Sequence, residues 1–277
     1  MSKNRTAVVI KGAGDLASGV AYRLHQCGLD VLMTELSNPL VVRRNVSFAE
    51  AIYEGSTKIE GITAKLSGSL EHALILLNSR IIPVLIDPQA EVIKQLRPTV
   101  VIDARMAKRN LDTRIDEAPL VIGLGPGFVA EQDVDVVIET CRGHKLGRVI
   151  YSGSAVPNTN VPGAIDGYTL ERLLRAPVDG QVLQSLSIGE LVEKGDLVAF
   201  VEANPVHAEI AGVIRGMIKE GVWVSAGTKI GDIDPRKDTH CDTISDKALA
   251  IGGGVLEAVF HFLTNSEKSV VQKREIV

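Results

Sequence analysis

The stretch Val8-Val9-Ile10-Lys11-Gly12-Ala13-Gly14-Asp15-Leu16-Ala17-Ser18-Gly19 decides how the N-terminal half is read. Ala7 to Ile10 is a short β-branched run, the pattern of a buried strand. It stops at Gly12, where a tight turn is free of a Cβ penalty. Gly14 is the second glycine of a G-x-G-x-x-A series that ends on Ala17. The helix predicted over Ala17 to Gln26 has apolar positions at Val20, Leu24 and Cys27. Asp15, Leu16 and Ala17 thus lead into that helix, whose free N–H groups and positive dipole end attract anions.

A second strand is predicted over Asp30 to Thr34 and ends at Glu35. An acid about twenty residues beyond the glycines is where a Rossmann-like site places its ribose ligand. Glu35 would accept from both ribose hydroxyls and repel a 2′-phosphate, favouring NAD over NADP. Gly12, Gly14, Asp15, Leu16, Ala17 and Glu35 are therefore candidate nucleotide ligands. The competing reading is a tight strand-to-helix turn with no ligand. Arg43 and Arg44 follow close enough to reach a bound anion, or form a solvated pair at a helix start.

Predicted strands and helices alternate through Thr99–Ile102, which indicates a doubly wound, mainly parallel sheet. Further predicted elements include a helix around Ser47 to Tyr53, one over Leu70 to Asn78, and a strand over Ile81 to Ile86. Several strands end in an acid: Glu35, Asp87 and Asp103. Asp87-Pro88 reads as turn chemistry. Asp103 with Arg105 is the better candidate for acid and anion anchor. A second glycine loop, Gly123-Leu124-Gly125-Pro126-Gly127, either forms an anion nest through Gly125 and Gly127 or is a structural turn.

Thr140 to Leu146 gathers Cys141, Arg142, His144 and Lys145 between two predicted strands. Neighbouring cations would favour a nucleophilic thiolate at Cys141. Cys141 and His144 alone do not make a metal site. A polar hairpin loop is the alternative.

The expected domains are 1–151, a nucleotide-binding unit; 152–175, a linker; 176–236, an all-β unit; and 237–277, a helix returning to the first unit. The all-β unit is duplicated. Gly180, Gly189, Val192, Gly195, Val198 and Val201 recur as Gly212, Gly221, Val224, Gly227, Ile230 and Ile233, offset by 32 residues (212 against 180). Such an internal repeat implies two interlocked halves. Gly252-Gly253-Gly254 inside the last helix costs about 2–3 kcal/mol of propensity. The glycines therefore predict close packing against another backbone, or a break in the helix.

Composition sets the outer bounds. The chain has 277 residues, 45% hydrophobic and 23% charged, as in ordinary globular proteins. A net charge of −4 and only 4% aromatics argue against nucleic acid as a partner. The N-terminal run is too short for a signal peptide, and no stretch reads as a membrane span. The three cysteines lack C-x-x-C spacing, which points to reduced thiols and a cytoplasmic location. A homo-oligomer is left open.

KGAGDLASGVAYRL, ETCRGHKLGRV, the duplicated β unit and DTISDKALAIGGGVLEA together resemble the accessory proteins of selenium-dependent molybdenum hydroxylases. The first unit is similar to XdhC-like maturation factors. The second resembles the barrel-sandwich hybrid of biotinyl/lipoyl domains. Pro205 stands where such carriers present lysine, so neither biotin nor lipoate is implied. The resemblance implies an α/β Rossmann-like unit plus that barrel. It also implies a nucleotide-binding maturation factor with a molybdenum hydroxylase client, acting on the cofactor or its selenium. The ligand would be NAD or another nucleotide, including a molybdopterin nucleotide. A free-standing NAD-dependent oxidoreductase is the alternative, using Asp103, Arg105 or His144.

Overall fold

A computed structural model describes residues 6–159 and 161–274. The N-terminal part comprises β1 (Ala7–Lys11), α1 (Asp15–Gln26), β2 (Asp30–Glu35), α2 (Glu50–Glu54), β3 (Ser56–Ile59) and β4 (Ile62–Ser67). It continues through α3 (Leu70–Asn78), β5 (Ile82–Ile86), α4 (Val92–Leu96), β6 (Val100–Asp103), β7 (Leu120–Leu124), β8 (Val136–Ile138) and β9 (Val149–Ile150). These strands form one nine-stranded sheet, ordered β3-β4-β5-β2-β1-β6-β7-β8-β9. Neighbours from β4 to β8 are parallel, and both edge pairings are antiparallel. β1, β6 and β7 are buried along their whole length, as strands covered on both faces must be.

The second part is antiparallel. It holds β10 (Leu173–Arg175), β11 (Gly180–Leu183), β12 (Leu191–Val192), β13 (Leu197–Val201) and β14 (Asn204–His207). β15 (Gly212–Met217), β16 (Trp223–Val224) and β17 (Lys229–Asp234) follow, and then α5 (Asp246–Arg274). The strands make two four-stranded sheets, β10-β17-β15-β12 and β14-β13-β11-β16. Each repeat gives its short strand to the other: β12 pairs with β15, and β16 with β11. Their buried side chains form one core of their own.

This architecture corrects the expected fold class. The protein has a large mixed sheet plus antiparallel sheets and few helices, not a Rossmann-like unit joined to a biotinyl/lipoyl-like barrel. A doubly wound sheet needs a helix after each strand to cover its faces. After β6 and β7 the chain instead returns through irregular segments, 104–119 and 125–135. α2 and α4 have only five residues each. The helix expected from Ser47 to Tyr53 is reduced to α2, and a 3-10 turn, Arg44–Val46, precedes it. The expected linker also ends inside a sheet, because β10 pairs with β17.

Cover for the sheet comes from the far end of the chain. α5 packs along α1 with both N-termini at the same end. A Cβ on Gly19 would lie 2.6 Å from the Ala248 Cβ, and one on Gly252 would lie 2.8 Å from the Gly19 carbonyl oxygen. A Cβ on Gly254 would collide with the Gly147 carbonyl. Two of the three helix glycines thus answer to backbone contact. Residues Asp246–Asn265 are long and apolar enough to cross a membrane by length and composition. In this globular domain Ala248, Ile251, Val255, Ala258 and Val259 are spent in the core. α5 keeps helical backbone to Arg274, and 275–277 lie outside the described residues.

The two parts meet along residues 42–60. Gly216 packs on Val42, where a Cβ would lie 2.8 Å from a valine methyl. Arg44 donates from Nε to the Met217 carbonyl at 2.9 Å and pairs with Glu50. Lys219 pairs with Glu54.

Candidate functional site: an arginine-bearing cleft at the start of the last helix

The glycine loop is built as its spacing requires, and it is heavily occupied by protein. Gly12 has φ +94°, and its α-carbon faces the Arg105 backbone. Ala13 donates its N–H to Glu35 Oε2 at 2.8 Å, while Leu36 donates to Oε1. Glu35 therefore closes on the loop itself. Burial raises its pKa against the pull of those two donors. Gly14 is the N-cap of α1 and supplies no side-chain cap; Asp15 and Leu16 are half-buried, and Ala17 is buried.

Asp103 and Arg105 belong to a closed network. Arg105 donates to Asp103 from its backbone N–H and from Nε and Nη2. It also donates to Asp112, and Thr113 donates to Asp103. Buried Lys11 donates to Thr113 and Glu117. Burial opposes the Arg105 charge, yet Asp103 and Asp112 outweigh it and push its pKa above the usual range. With its donors committed, the pair is built for structure more than for catching a ligand.

The second glycine loop is packed shut. A Cβ on Gly127 would lie 2.6 Å from the Arg109 backbone, and one on Gly125 would meet the Thr140 hydroxyl. Gly125 spends its N–H on the Ile138 carbonyl. Cys141 and His144 are both exposed, with the Cys141 thiol directed to the Arg142 carbonyl at 3.6 Å. Among the described residues no three His, Cys, Asp or Glu side chains group as a metal site. Pro205 is exposed on β14, opposite Phe200.

The richest chemistry lies elsewhere. Where α5 begins, the 141–142 loop, β15 and the 234–247 segment enclose a cavity of about 610 Å³. Arg142, Arg215 and Arg236 line it, with Asp166, Asp238, Asp246 and His240. Arg142 forms a two-point bridge to Asp246 at 2.8 and 2.9 Å, which depresses the Asp246 pKa. Arg236 and Thr239 donate to buried Asp234. Burial would raise the Asp234 pKa, but these donors prevail and bring it to about 2.

Two guanidiniums are left over. Arg215 stands 3.4 Å from Asp234 through Nη1, while its Nε is buried with no hydrogen-bond partner among the described residues. Nε and Nη2 of Arg43 are likewise buried and unpartnered. Burial and then Arg43 lower the Arg215 pKa, against Asp234 and Asp232. Lys247 is half-buried in the first turn of α5 and makes no hydrogen bond or ion pair among the described residues. Burial, then Arg142, lowers its pKa against Asp15, Cys141 and Glu139.

Of the residues marked in the sequence, Arg142 of the Cys141 loop lines this cleft, and Arg43 lies close enough to Arg215 to lower its pKa. Asp103, Arg105, Gly125 and Gly127 do not. Sequence reasoning missed Arg215, Arg236, Asp234 and Lys247. Signals existed. Arg215 occupies the repeat position that Leu183 fills in the first half. Lys247 sits in a helix's first turn, where a cation opposes the dipole.

No family model matches the chain. A protein of Escherichia coli (strain K12) named Uncharacterized protein YqeB is 47% identical over 270 residues, covering 97% of this chain and 50% of that protein. The chain thus spans half the length of this relative. An aspartoacylase family protein from Mesorhizobium loti aligns over 84% of this chain and 86% of its own, at 10% identity and a TM-score of 0.28. A succinylglutamate desuccinylase from Silicibacter aligns over 83% and 84%, at 14% identity and a TM-score of 0.24. Scores this low describe partial overlap of strands and carry no functional argument.

These findings correct the reading by resemblance. The structures that align are aspartoacylase and desuccinylase proteins, not XdhC-like factors, and the sequence relative is named only as uncharacterized. Membership of the molybdenum hydroxylase accessory family is withdrawn. The maturation function, the selenium chemistry and the NAD oxidoreductase alternative are withdrawn with it.

Proposed function

We propose that this chain binds a small phosphate-bearing molecule in the cleft at the start of α5. One observation carries the reading: Nε of Arg215, in a cavity that Arg142 and Arg236 also line beside Asp166, Asp238 and Asp246, is buried without a hydrogen-bond partner among the described residues, as are Nε and Nη2 of Arg43 close by. Leaving a charged group buried and unpaired costs several kcal/mol, and a fold accepts that cost where a counter-charge arrives from outside. Guanidiniums suit phosphate because their planar forks present several donors at once. The N-termini of α1 and α5 lie side by side and add positive potential at the same end of the molecule. Absence of disulfides among Cys27, Cys141 and Cys241 supports a reducing compartment, and we place the protein in the cytoplasm.

The test is thermal unfolding at constant ionic strength with inorganic phosphate, pyrophosphate and AMP. A ligand at a hundredfold excess over its dissociation constant adds about 2.7 kcal/mol of stability. We expect a rise in Tm with at least one probe, lost in Arg215→Met. No rise with any of them would overturn the reading.

A further inference from the structure

A bare anion leaves half of the cleft lining unexplained. Three arginines and three aspartates line it. Arg142 and Asp246 cancel in their two-point bridge, and Arg236 is held by Asp234. Asp166 and Asp238 are exposed, and neither accepts a hydrogen bond or joins an ion pair among the described residues. Asp234 first, and then Asp166 and Asp238 through space, raise the Arg236 pKa against burial, so both free carboxylates lie near that guanidinium. Asp166 is placed by a tight turn. Ile165 and Tyr168 exchange both backbone hydrogen bonds at 3.0 Å, and Asp166 and Gly167 between them have φ +47° and +85°. Two positive φ angles in a two-residue connection are the pattern of a type I′ turn, which favours Asp-Gly. The turn fixes the backbone that carries this carboxylate at the cavity wall.

We propose that the cleft takes a phosphate ester with a hydroxyl-bearing body, a sugar phosphate by chemical class. This rests on the phosphate-binding reading above. The phosphate sits at Arg215, whose buried Nε has no partner among the described residues, and the hydroxyls donate to Asp166 and Asp238. Arg236 already supplies these carboxylates with positive charge through space; what they lack is hydrogen-bond donors. Neutral hydroxyls supply donors without displacing the arginine, and hydrogen bonds to a charged acceptor are the stronger kind. A bare phosphate leaves both carboxylates unmatched and is repelled by them. The size agrees. The cavity of about 610 Å³ lies within the roughly 300–1,000 Å³ that small-molecule clefts span.

Calorimetric titration at constant ionic strength compares ribose 5-phosphate with butyl phosphate, which carries the phosphate and no hydroxyl on its body. We expect ribose 5-phosphate to bind about tenfold more tightly, the fold-change of one charge-assisted hydrogen bond, and inorganic phosphate to displace it. Asp166→Asn installs a residue that tolerates the left-handed turn, and Asp238→Ala changes an exposed site. Together they should erase most of that preference, while inorganic phosphate binds no more weakly because two like charges have gone. Equal affinity for the two esters, with both binding, would overturn the sugar phosphate and leave the phosphate site standing. A preference that survives intact in the double variant would overturn the role of the two carboxylates. Binding of none of the three phosphates would overturn the phosphate site itself, and this inference with it.

Discussion

Two polar clusters flank the first helix, and they differ in how their charges are partnered. Around Gly12, Lys11, Asp103, Arg105, Asp112, Thr113 and Glu117 satisfy one another through short hydrogen bonds. At the start of α5, Arg43 and Arg215 keep buried nitrogens without partners, and Lys247 has no ion pair among the described residues. A saturated network fixes structure, since each buried donor has its acceptor. An unsaturated one holds potential that a ligand can use. Removing a charge should therefore harm the first cluster, and removing an unpartnered cation should relieve the second.

The largest effect belongs to the saturated side. Asp103→Ala strips a buried carboxylate that accepts from Arg105 and Thr113. Arg105 would retain only Asp112 as a charged partner. Breaking one side of a buried pair costs about 3–5 kcal/mol. Urea unfolding should show a loss of that size. A loss below about 1 kcal/mol, the ordinary result at a neutral surface site, would break the contrast.

Legibility followed the same division. The β1 run, the φ +94° turn at Gly12 and the duplicated β unit are local or periodic features, so residue order alone points to them. The architecture was not legible, because a strand–glycine–helix start does not say whether later strands receive helices. Segments 104–119 and 125–135 look like loops because they are loops. The polar edge strand β3 gave no apolar alternation, with Ser56, Thr57 and Lys58 before Ile59. The cleft could not be read in line at all. Residues 142, 215 and 236 meet only after α5 returns to α1 and Gly216 seats on Val42.

A smaller effect sharpens the comparison from within the cleft. Asp234 is its one fully buried acid, held by Arg236 and Thr239. Its pKa falls from 3.8 to about 2 on folding. The charged form is thus favoured in the folded state. The resulting stability is complete above the unfolded pKa and disappears as pH drops from 3.8 toward 2. Its size is roughly 2 kcal/mol. The stability advantage of the wild type over Asp234→Asn should therefore shrink across that interval. Asp246 also titrates low, but it is present in both proteins and cancels in the difference. An advantage that stays constant with pH would mean that Asp234 does not supply the linkage.

The smallest expected change in stability is the most discriminating. Arg43→Met keeps an unbranched chain of similar length and removes a guanidinium whose Nε and Nη2 have no hydrogen-bond partner among the described residues. It also removes the like charge that depresses the Arg215 pKa. Replacing a buried ionic group by an apolar side chain of similar volume is often neutral, or stabilising by about 1–4 kcal/mol. Here one charge and no ion pair is lost, so the gain should sit at the low end, about 1 kcal/mol, by urea unfolding without added phosphate. Phosphate should then stabilise the variant less than the wild type. Opposite signs for stability and binding are the mark of a residue kept for a ligand. A loss of stability comparable to that of Asp103→Ala would instead make Arg43 part of the scaffold, and the contrast between the two clusters would fail.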